Sequence, residues 1–278
     1  MPQDSLPRDD GRAGAPGEPG PPGPPRRWWI LAAVCASLLL IVVDNTVLSV
    51  ALPAVAADFG TGTAALQAVV NAYVVVFAGL LVAAGAAADR FGRRRVLLAG
   101  LAVFAASSAA AALSPGAGWL IGARAAMGVG AALVMPSTLA VLVQVFPADE
   151  RPRAFAVWTA AASVAMAGGP VLGGALVAAW SWAGVFWINV PLAAAALAAA
   201  ALLVPESSDP AAGPVHVPSA ALVTVGMGGA VLAVLMLAEP GPPWAAVGAG
   251  AAAATAGLGG FALAQRRART PLVDFGLY

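Results

Sequence analysis

The chain has 278 residues, of which 60% are hydrophobic and only 10% are charged, and its formal net charge is +1. A soluble domain has roughly 45–50% apolar and about 25% charged residues, so this composition excludes a soluble domain. The net charge by itself carries no message about nucleic acid, and no nucleic-acid partner is expected. Cys35 is the only cysteine and His216 the only histidine, which excludes internal disulfides and predicts no metal and no cofactor.

The first 27 residues are rich in proline, glycine and charge, and four Gly-x-y triplets lie within residues 14–25. A collagen-like helix needs many more such repeats and three chains, so residues 1–27 are predicted to form a disordered tail. Arg26 and Arg27 precede Trp28 and Trp29, an order typical of the boundary between cytoplasm and membrane.

Eight apolar stretches follow, each close to the roughly 20 residues that a membrane-spanning helix needs. They predict an all-α membrane protein. The predicted spans are residues 28–52, 64–84, 95–113, 117–143, 154–177, 184–204, 218–238 and 244–264.

The arginines test this count of eight spans. If the spans alternate in direction, thirteen of the fourteen arginines fall on one side, and the opposite loops carry only the acids Asp58 and Glu239. Arginine-rich loops stay in the cytoplasm, so we expect a multi-pass protein of the cell membrane with both termini cytoplasmic.

Two charged residues lie inside the predicted spans. Asp44 comes 16 residues after Trp28 and Arg124 five residues after Trp119, which places both at nearly the same depth, about 22–24 Å from the cytoplasmic face. Because an ionisable group within the membrane is a functional candidate, we hypothesise that they interact in one cavity and that a proton or cation at Asp44 competes with Arg124. The alternative is that the pair only neutralises its charges to assemble the bundle.

Polar and helix-bending residues surround this level of the bundle. Asn45, Thr46 and Ser49 extend the polar strip beside Asp44 and could contact either substrate or another helix. Pro53 is predicted to end or kink the first span, and Pro136 to bend the fourth.

The fifth span carries small residues at a spacing of four, which permits close contact between helices. These residues are Ala165, Gly169 and Gly173, with Pro170 and Gly174 beside them. Bulky aromatic residues of the fifth and sixth spans are predicted to be interface anchors, namely Trp158, Trp182, Phe186 and Trp187.

A short charged loop is predicted between the second and third spans, at residues 85–95 (GAAADRFGRRR). On charge alone, it could be a turn that only sets topology. Its order of glycines and charges resembles the loop between the second and third helices of the major facilitator superfamily. The residues that carry this resemblance are Gly85, Asp89, Arg90, Gly92, Arg93 and Arg94.

Four further stretches resemble the 14-span drug:proton antiporters of that superfamily. Some positions depart from the family pattern. Ser49 stands where the family usually has asparagine, and Met127 stands where it often has glutamine. Ala165 stands at the usual first glycine of the antiporter motif, and Ala183-Gly184 replaces the usual Arg-Trp. The stretches are residues 44–53 (DNTVLSVALP), 124–130 (RAAMGVG), 169–174 (GPVLGG) and 186–191 (FWINVP).

The resemblance implies proton-driven export of amphipathic, often cationic small molecules by alternating access. It implies that Asp44 and Arg124 serve proton coupling and substrate charge, and that the loop motif latches two halves of the transporter. The implied domains are a six-helix half at residues 28–204, a cytoplasmic linker at 205–217, two extra helices at 218–264 and a cytoplasmic tail at 265–278.

The family has six more helices after the extra pair, and residues 271–278 resemble the approach to a ninth helix. We therefore expect the chain to be completed by a longer product, a second chain or a homodimer, with the helix 5 glycine face turned towards lipid or another chain. The alternative is a truncated membrane remnant or partner protein that does not transport. No catalytic dyad, phosphate-binding glycine loop or metal cluster supports an enzyme.

Overall fold

The computed structural model describes residues 24–208, 217–238 and 241–267. The tail before Pro24, most of the predicted linker with His216, and the stretch that resembles the approach to a ninth helix lie outside the described residues.

The described part of the chain contains nine helices and no strand. Eight stretches are long and apolar enough to span a membrane, which confirms the predicted number, because α6 and α7 together form the sixth span. The helices are α1 (Arg27–Phe59), α2 (Thr63–Phe91), α3 (Arg93–Ala112), α4 (Ala117–Val145), α5 (Arg151–Ala179), α6 (Trp182–Trp187), α7 (Asn189–Leu203), α8 (Val217–Leu237) and α9 (Trp244–Arg267).

The first helix runs seven residues past its predicted end, so Pro53 does not terminate it. A proline removes one backbone hydrogen bond, but packing can hold the helix on both sides of it. Ala51 and Val55, on either side of Pro53, are fully buried in the core. The helix ends instead at Gly60, whose φ of 61° places it in the left-handed conformation that glycine adopts at little cost.

The predicted charged loop at residues 85–95 is almost entirely helical, which corrects the prediction. Helix α2 continues to Phe91, and Gly92, with a φ of 106°, is the single residue between α2 and α3. The sequence was misleading here because the arginines lower the local hydropathy, although arginine is a good helix former.

The bundle packs around α1 and α4, with α5 and α7 against α1, α2 and α3 against α4, and the α8–α9 pair against α2. Helices α3 and α4 touch at Gly100 and Gly130, where a Cβ on Gly100 would lie 2.9 Å from the Gly130 carbonyl oxygen. Such contacts between small residues bring membrane helices close together, which holds α3 against α4.

The helical hydrogen bonding of the sixth span is interrupted at Ile188, between α6 and α7, although the φ of −64° and ψ of −29° of Ile188 remain helical. The sequence analysis did not predict this break in hydrogen bonding. Pro191 lies in the first turn of α7, and its lack of an N–H weakens the helical hydrogen bonding just before it. A break in a membrane helix frees backbone carbonyl groups, which other groups must satisfy when they are buried.

Candidate functional site

Asp44 of α1 and Arg124 of α4 form a direct ion pair, with Nη1 of Arg124 2.5 Å from Oδ2 of Asp44. Both side chains have 0% exposure. The sequence analysis placed both residues at nearly the same depth, and the direct contact between them agrees with that prediction. The pair does not line the cavity of about 900 Å³ between α2, α4 and α8.

Tyr73 of α2 packs against the Arg124 side of this ion pair. The guanidinium carbon of Arg124 lies 4.3 Å from the centre of the Tyr73 ring, a distance at which a cation is attracted to an aromatic face. The sequence analysis did not select Tyr73, although it is one of only two tyrosines in the chain and lies in an apolar span.

Asn189 is a second residue that the sequence analysis missed. Its Nδ2 donates to Oδ1 of Asp44 at 2.7 Å and lies 3.1 Å from Oγ of Ser108 in α3. Ser108 in turn donates to the carbonyl of Phe186, next to the break in the sixth span, at 2.9 Å. The sequence does carry a signal for Asn189, which is a single asparagine just before an alanine-rich run. A buried amide requires hydrogen-bond partners, so its position predicts a polar contact.

The two carboxylate oxygens of Asp44 thus have different donors, Arg124 for Oδ2 and Asn189 for Oδ1. Helices α1, α3, α4 and α7 all contribute side chains to one buried polar network. A buried charge without partners is very costly in a membrane, and these hydrogen bonds offset part of that cost.

The other predicted residues of the first span mainly bond to their own helix. Asn45 donates to the carbonyl of Ile41, and its Oδ1 lies 3.5 Å from Nη2 of Arg124. Thr46 donates to carbonyls of the preceding turn, and exposed Ser49 donates to the carbonyl of Thr46 at 2.7 Å. Asn45 therefore lies beside the ion pair, whereas Ser49 faces outwards.

The glycine face of α5 packs against α1, which corrects the expectation that it faces lipid or another chain. A Cβ on Gly169 would lie 2.6 Å from Cβ of Thr46, and a Cβ on Gly173 would lie 2.9 Å from the carbonyl oxygen of Val47. Pro170 is exposed, and in the described structure nothing lies within 4 Å of a Cβ placed on Gly174. Only two of the four predicted motif residues are therefore buried in this contact.

The aromatic residues of the sixth span are not all interface anchors as predicted. Phe186 is fully buried in the core, and Trp182 is mostly buried, with its Nε1 donating to Oδ2 of Asp58 at 2.8 Å. Trp187 remains exposed, which is consistent with an anchor.

The residues of the loop motif form a polar cluster at the junction of α2 and α3. Nη2 of Arg93 lies 2.9 Å from Oδ1 of Asp89, one turn earlier in the chain. Arg94 donates to the carbonyl of Ala201 near the end of α7. Arg90 is exposed and lies against Phe91, and Gly85 faces Pro136 of α4.

The segment after α7 closes over this cluster. The backbone N–H of Arg93 donates to the carbonyl of Ser207 at 2.8 Å. Arg95 forms an ion pair with Glu206, with Nε of Arg95 3.4 Å from Oε2 of Glu206. The Glu206 carboxylate occupies the space beside Gly92 that a larger side chain would fill. The start of the predicted linker is therefore attached to the loop motif.

A further ion pair joins α1 to the connection between α4 and α5. Nε of Arg27 lies 2.6 Å from Oε2 of Glu150, and a second hydrogen bond from Arg27 reaches Oε1 at 2.9 Å. This two-point hydrogen bonding lowers the pKa of Glu150 below its ordinary value.

Among the described residues, no group of three or more histidine, cysteine, aspartate or glutamate side chains could hold a metal ion.

The profile of the Major Facilitator Superfamily matches residues 34–224, which include every residue of the polar network. The chain belongs to the Major Facilitator Superfamily. Its membership indicates a multi-pass membrane transport protein rather than an enzyme.

Similar proteins of this superfamily include exporters. The multidrug efflux pump LfrA of Mycolicibacterium smegmatis is 42% identical over 254 residues, which are 91% of this chain and 50% of that protein. The multidrug resistance protein Stp of Mycobacterium tuberculosis (strain CDC 1551 / Oshkosh) is 36% identical over 89% of this chain and 46% of its own length. The chain thus spans about half the length of these curated relatives.

The superfamily fold is also recognised among solved structures. The human organic anion transporter MFSD10 (TETRAN) matches with a TM-score of 0.59 and 21% identity, covering 79% of this chain and 58% of that one. At this identity, the likeness supports the shared fold alone.

Proposed function

We propose that this superfamily member is the amino-terminal portion of a proton-coupled exporter of amphipathic, mainly cationic small molecules. The observation that carries the proposal is the fully buried ion pair of Asp44 and Arg124. The multidrug efflux pump and the multidrug resistance protein among its relatives support export of several kinds of small molecule.

The proposed coupling uses competition for Asp44. Protonation of its carboxylate removes the negative charge that faces Arg124 and weakens both hydrogen bonds that the carboxylate accepts. A cationic substrate could compete with Arg124 for the same carboxylate, so proton and substrate would occupy the site in turn. Of the polar residues next to Asp44 in α1, Asn45 lies beside the ion pair and is the proposed substrate-contacting residue.

In the proposed transport cycle, the cluster around Asp89 and Arg93 is a latch between conformations. It includes the connection between α2 and α3 and is attached through Arg94 and Glu206 to the end of the sixth span. Alternating access in such transporters moves one bundle against another around a central site. The second bundle would come from a longer product, a second chain or a second copy.

The proposed location is the cell membrane, with the loop motif in the cytoplasm. Arginines cluster at the start of α1, between α2 and α3 and between α4 and α5, which lie on one side when the spans alternate. Positive loops remain cytoplasmic, so both termini are placed there as well.

The export proposal is tested with a fluorescent lipophilic cation in cells that express the protein from its native gene. We expect export to stop when the proton gradient is collapsed and to be lost with Asp44→Asn. Asp149→Asn, a change at an exposed loop acid, should retain export. Export that continues in Asp44→Asn, with unchanged pH dependence, would contradict coupling at this residue.

The size of the native product separates the two alternatives for the whole protein. An amino-terminal tag and a denaturing gel should show a product of about twice the 27.3 kDa chain, given the half-length match to its relatives. A product of 27.3 kDa that forms no dimer and exports nothing would favour a non-transporting membrane partner.

A further inference from the structure

The side-chain amide of Asn189 lies between Asp44 and Ser108 and has two possible orientations. In the structure its Nδ2 donates to Oδ1 of Asp44 at 2.7 Å and lies 3.1 Å from Oγ of Ser108. Its Oδ1 is buried and has no hydrogen-bond partner among the described residues. A half-turn of the amide exchanges a double donor for an acceptor. Since one amide atom stays without a described partner in either orientation, the neighbours of the amide decide which orientation it takes.

The geometry favours one oxygen of Asp44 as the place where a proton binds. Oδ2 faces Nη1 of Arg124, and a guanidinium group has five donors and no acceptor. A hydroxyl at Oδ2 would therefore meet a donor, whereas a hydroxyl at Oδ1 meets the amide of Asn189. Proton binding thus forms an O–H bond at Oδ1, removes the negative charge and converts Oδ1 from an acceptor into a donor.

Few other charged or titratable groups lie near Asp44 in the described helices. Arg124 of α4 binds it directly, and Tyr73 of α2 lies against the guanidinium group of Arg124. Helices α3 and α5 carry charged residues only at their first three positions, and α6 and α7 carry none. The hydrogen bonding of Oδ1 is therefore governed by its own proton and by Asn189.

Ser108 connects this amide to the backbone of the sixth span. Its hydroxyl group has a single hydrogen, which it donates to the carbonyl of Phe186 at 2.9 Å. When the amide of Asn189 turns, its Oδ1 takes the position that Nδ2 held beside Oγ of Ser108. The two residues keep their hydrogen bond only if Ser108 now donates to Asn189, which releases the carbonyl of Phe186.

The released carbonyl has a backbone donor one helical turn later, at Val190. Among the described residues, no hydrogen bond joins the N–H of Val190 to the carbonyl of Phe186, which lie on either side of the interruption between α6 and α7. Ile188, between them, keeps a helical φ of −64° and ψ of −29°, so only a small adjustment brings the two groups together. Because a buried carbonyl without a partner is costly, we expect Val190 to donate to it once Ser108 has turned away.

We propose that Asn189 and Ser108 are positioning residues that relay the protonation of Asp44 to the backbone of the sixth span. The inference rests on the proton coupling proposed above. With Asp44 ionised, Ser108 holds the carbonyl of Phe186 and the helical hydrogen bonding stays interrupted. With Asp44 protonated, the amide turns, Ser108 donates to it, and Val190 closes the interruption. The sixth span thus has two hydrogen-bonding states that follow the charge of Asp44.

The test is solid-state NMR of the 278-residue chain in lipid bilayers. Phe186 is the only phenylalanine followed by tryptophan, and Asn189 is the only asparagine followed by valine. Labelling with carbonyl-¹³C phenylalanine and ¹⁵N tryptophan therefore gives a single cross-peak, which reports the carbonyl of Phe186. Labelling with carbonyl-¹³C asparagine and ¹⁵N valine gives another single cross-peak, which reports the N–H of Val190 and its hydrogen exchange.

Asp44→Asn imitates the protonated state, because its amide oxygen accepts from Arg124 and its N–H group then faces Asn189. We expect the N–H of Val190 to exchange about fivefold more slowly than in the unsubstituted chain at neutral pH, the factor that one backbone hydrogen bond contributes. The cross-peak of Phe186 should shift as well.

Two neighbouring serines of α3 form a matched pair. Ser108→Ala frees the carbonyl of Phe186 whatever the state of Asp44, so it should slow the exchange of Val190 to a similar extent. Adding Asp44→Asn to Ser108→Ala should then change nothing further. Ser107 donates to the carbonyl of Val103 in its own helix at 2.6 Å, so Ser107→Ala should leave both cross-peaks as they are in the unsubstituted chain.

Unchanged exchange of Val190 in either Asp44→Asn or Ser108→Ala would overturn the proposal. So would a full further slowing by Asp44→Asn on top of Ser108→Ala, since the charge would then reach the sixth span by another route. If Asp44→Asn does not accumulate in membranes, a shift of the Phe186 cross-peak on acidification, present in the unsubstituted chain and absent from Ser108→Ala, decides the result. These signals need neither substrate nor a proton gradient, so a failure of export and a failure of the relay are told apart.

Discussion

Thr46 of α1 lies directly against Gly169 of α5, at a distance that leaves no space for a side chain on the glycine. The same pattern recurs one turn later between Val47 and Gly173. This contact holds α5 against the helix that carries Asp44. The small-residue motif of α5 therefore supports the ion pair indirectly, by fixing the position of α1.

Gly169→Ala should destabilise the protein, because the added methyl group overlaps Thr46. We expect a loss of about 1–3 kcal/mol, which is typical of an overpacked core, and a lower midpoint of thermal unfolding in detergent. Gly168→Ala is the matched control, since in the described structure no atom lies within 4 Å of a Cβ at that position. Equal unfolding midpoints for the two variants would show that the α1–α5 contact is looser than described.

The number of spans and the ion pair could be predicted from the sequence, because hydropathy, arginine positions and the rise of a helix are local quantities. The packing partners of individual residues could not be predicted from the sequence. Whether Gly169 faces lipid or Thr46 depends on how α5 is rotated, which an alanine-rich and uniformly apolar helix hardly specifies.

The missed residues illustrate the same limit. Asn189 and Ser108 are 81 positions apart in the chain and meet because α7 packs against α3. Neither residue is charged. The free-energy cost of placing it in the membrane therefore does not mark it as a functional candidate, as it does for Asp44. The charged loop was predicted as irregular for a related reason, since composition alone does not show that α2 continues to Phe91.

Arg124→Ala should be strongly destabilising, because it leaves a buried carboxylate without its cationic partner. Removing one member of a buried ion pair costs about 3–5 kcal/mol. The double variant Asp44→Asn with Arg124→Gln removes both charges and should recover much of this loss. Folded yield in membranes and thermal unfolding measure the effect, and a double variant no more stable than Arg124→Ala would argue against direct pairing.

Asn189→Leu should have a smaller effect, because it leaves Oδ1 of Asp44 without a donor while Arg124 still binds Oδ2. An unsatisfied buried polar group costs about 1–3 kcal/mol. In the Asp44→Asn background, the same substitution should cost less, since a neutral amide loses less than a carboxylate. Thermal unfolding of the four proteins in this double-mutant cycle gives the coupling energy, and a coupling near zero would mean that the 2.7 Å contact contributes nothing.

The ion pair of Arg27 and Glu150 should make stability depend on acid pH. Because hydrogen bonding from Arg27 lowers the pKa of Glu150 in the folded protein, the carboxylate stabilises the fold at pH values above its ordinary pKa. That contribution is lost as the pH falls through the lowered pKa, when the carboxyl group becomes protonated. We therefore expect Glu150→Gln to lower the unfolding midpoint near neutral pH and to match the unsubstituted protein in strong acid.

Asp149→Asn, at the neighbouring exposed acid, should retain the dependence of the unsubstituted protein. A constant difference between Glu150→Gln and the unsubstituted protein at every pH would show that the substitution acts through packing rather than through this charge.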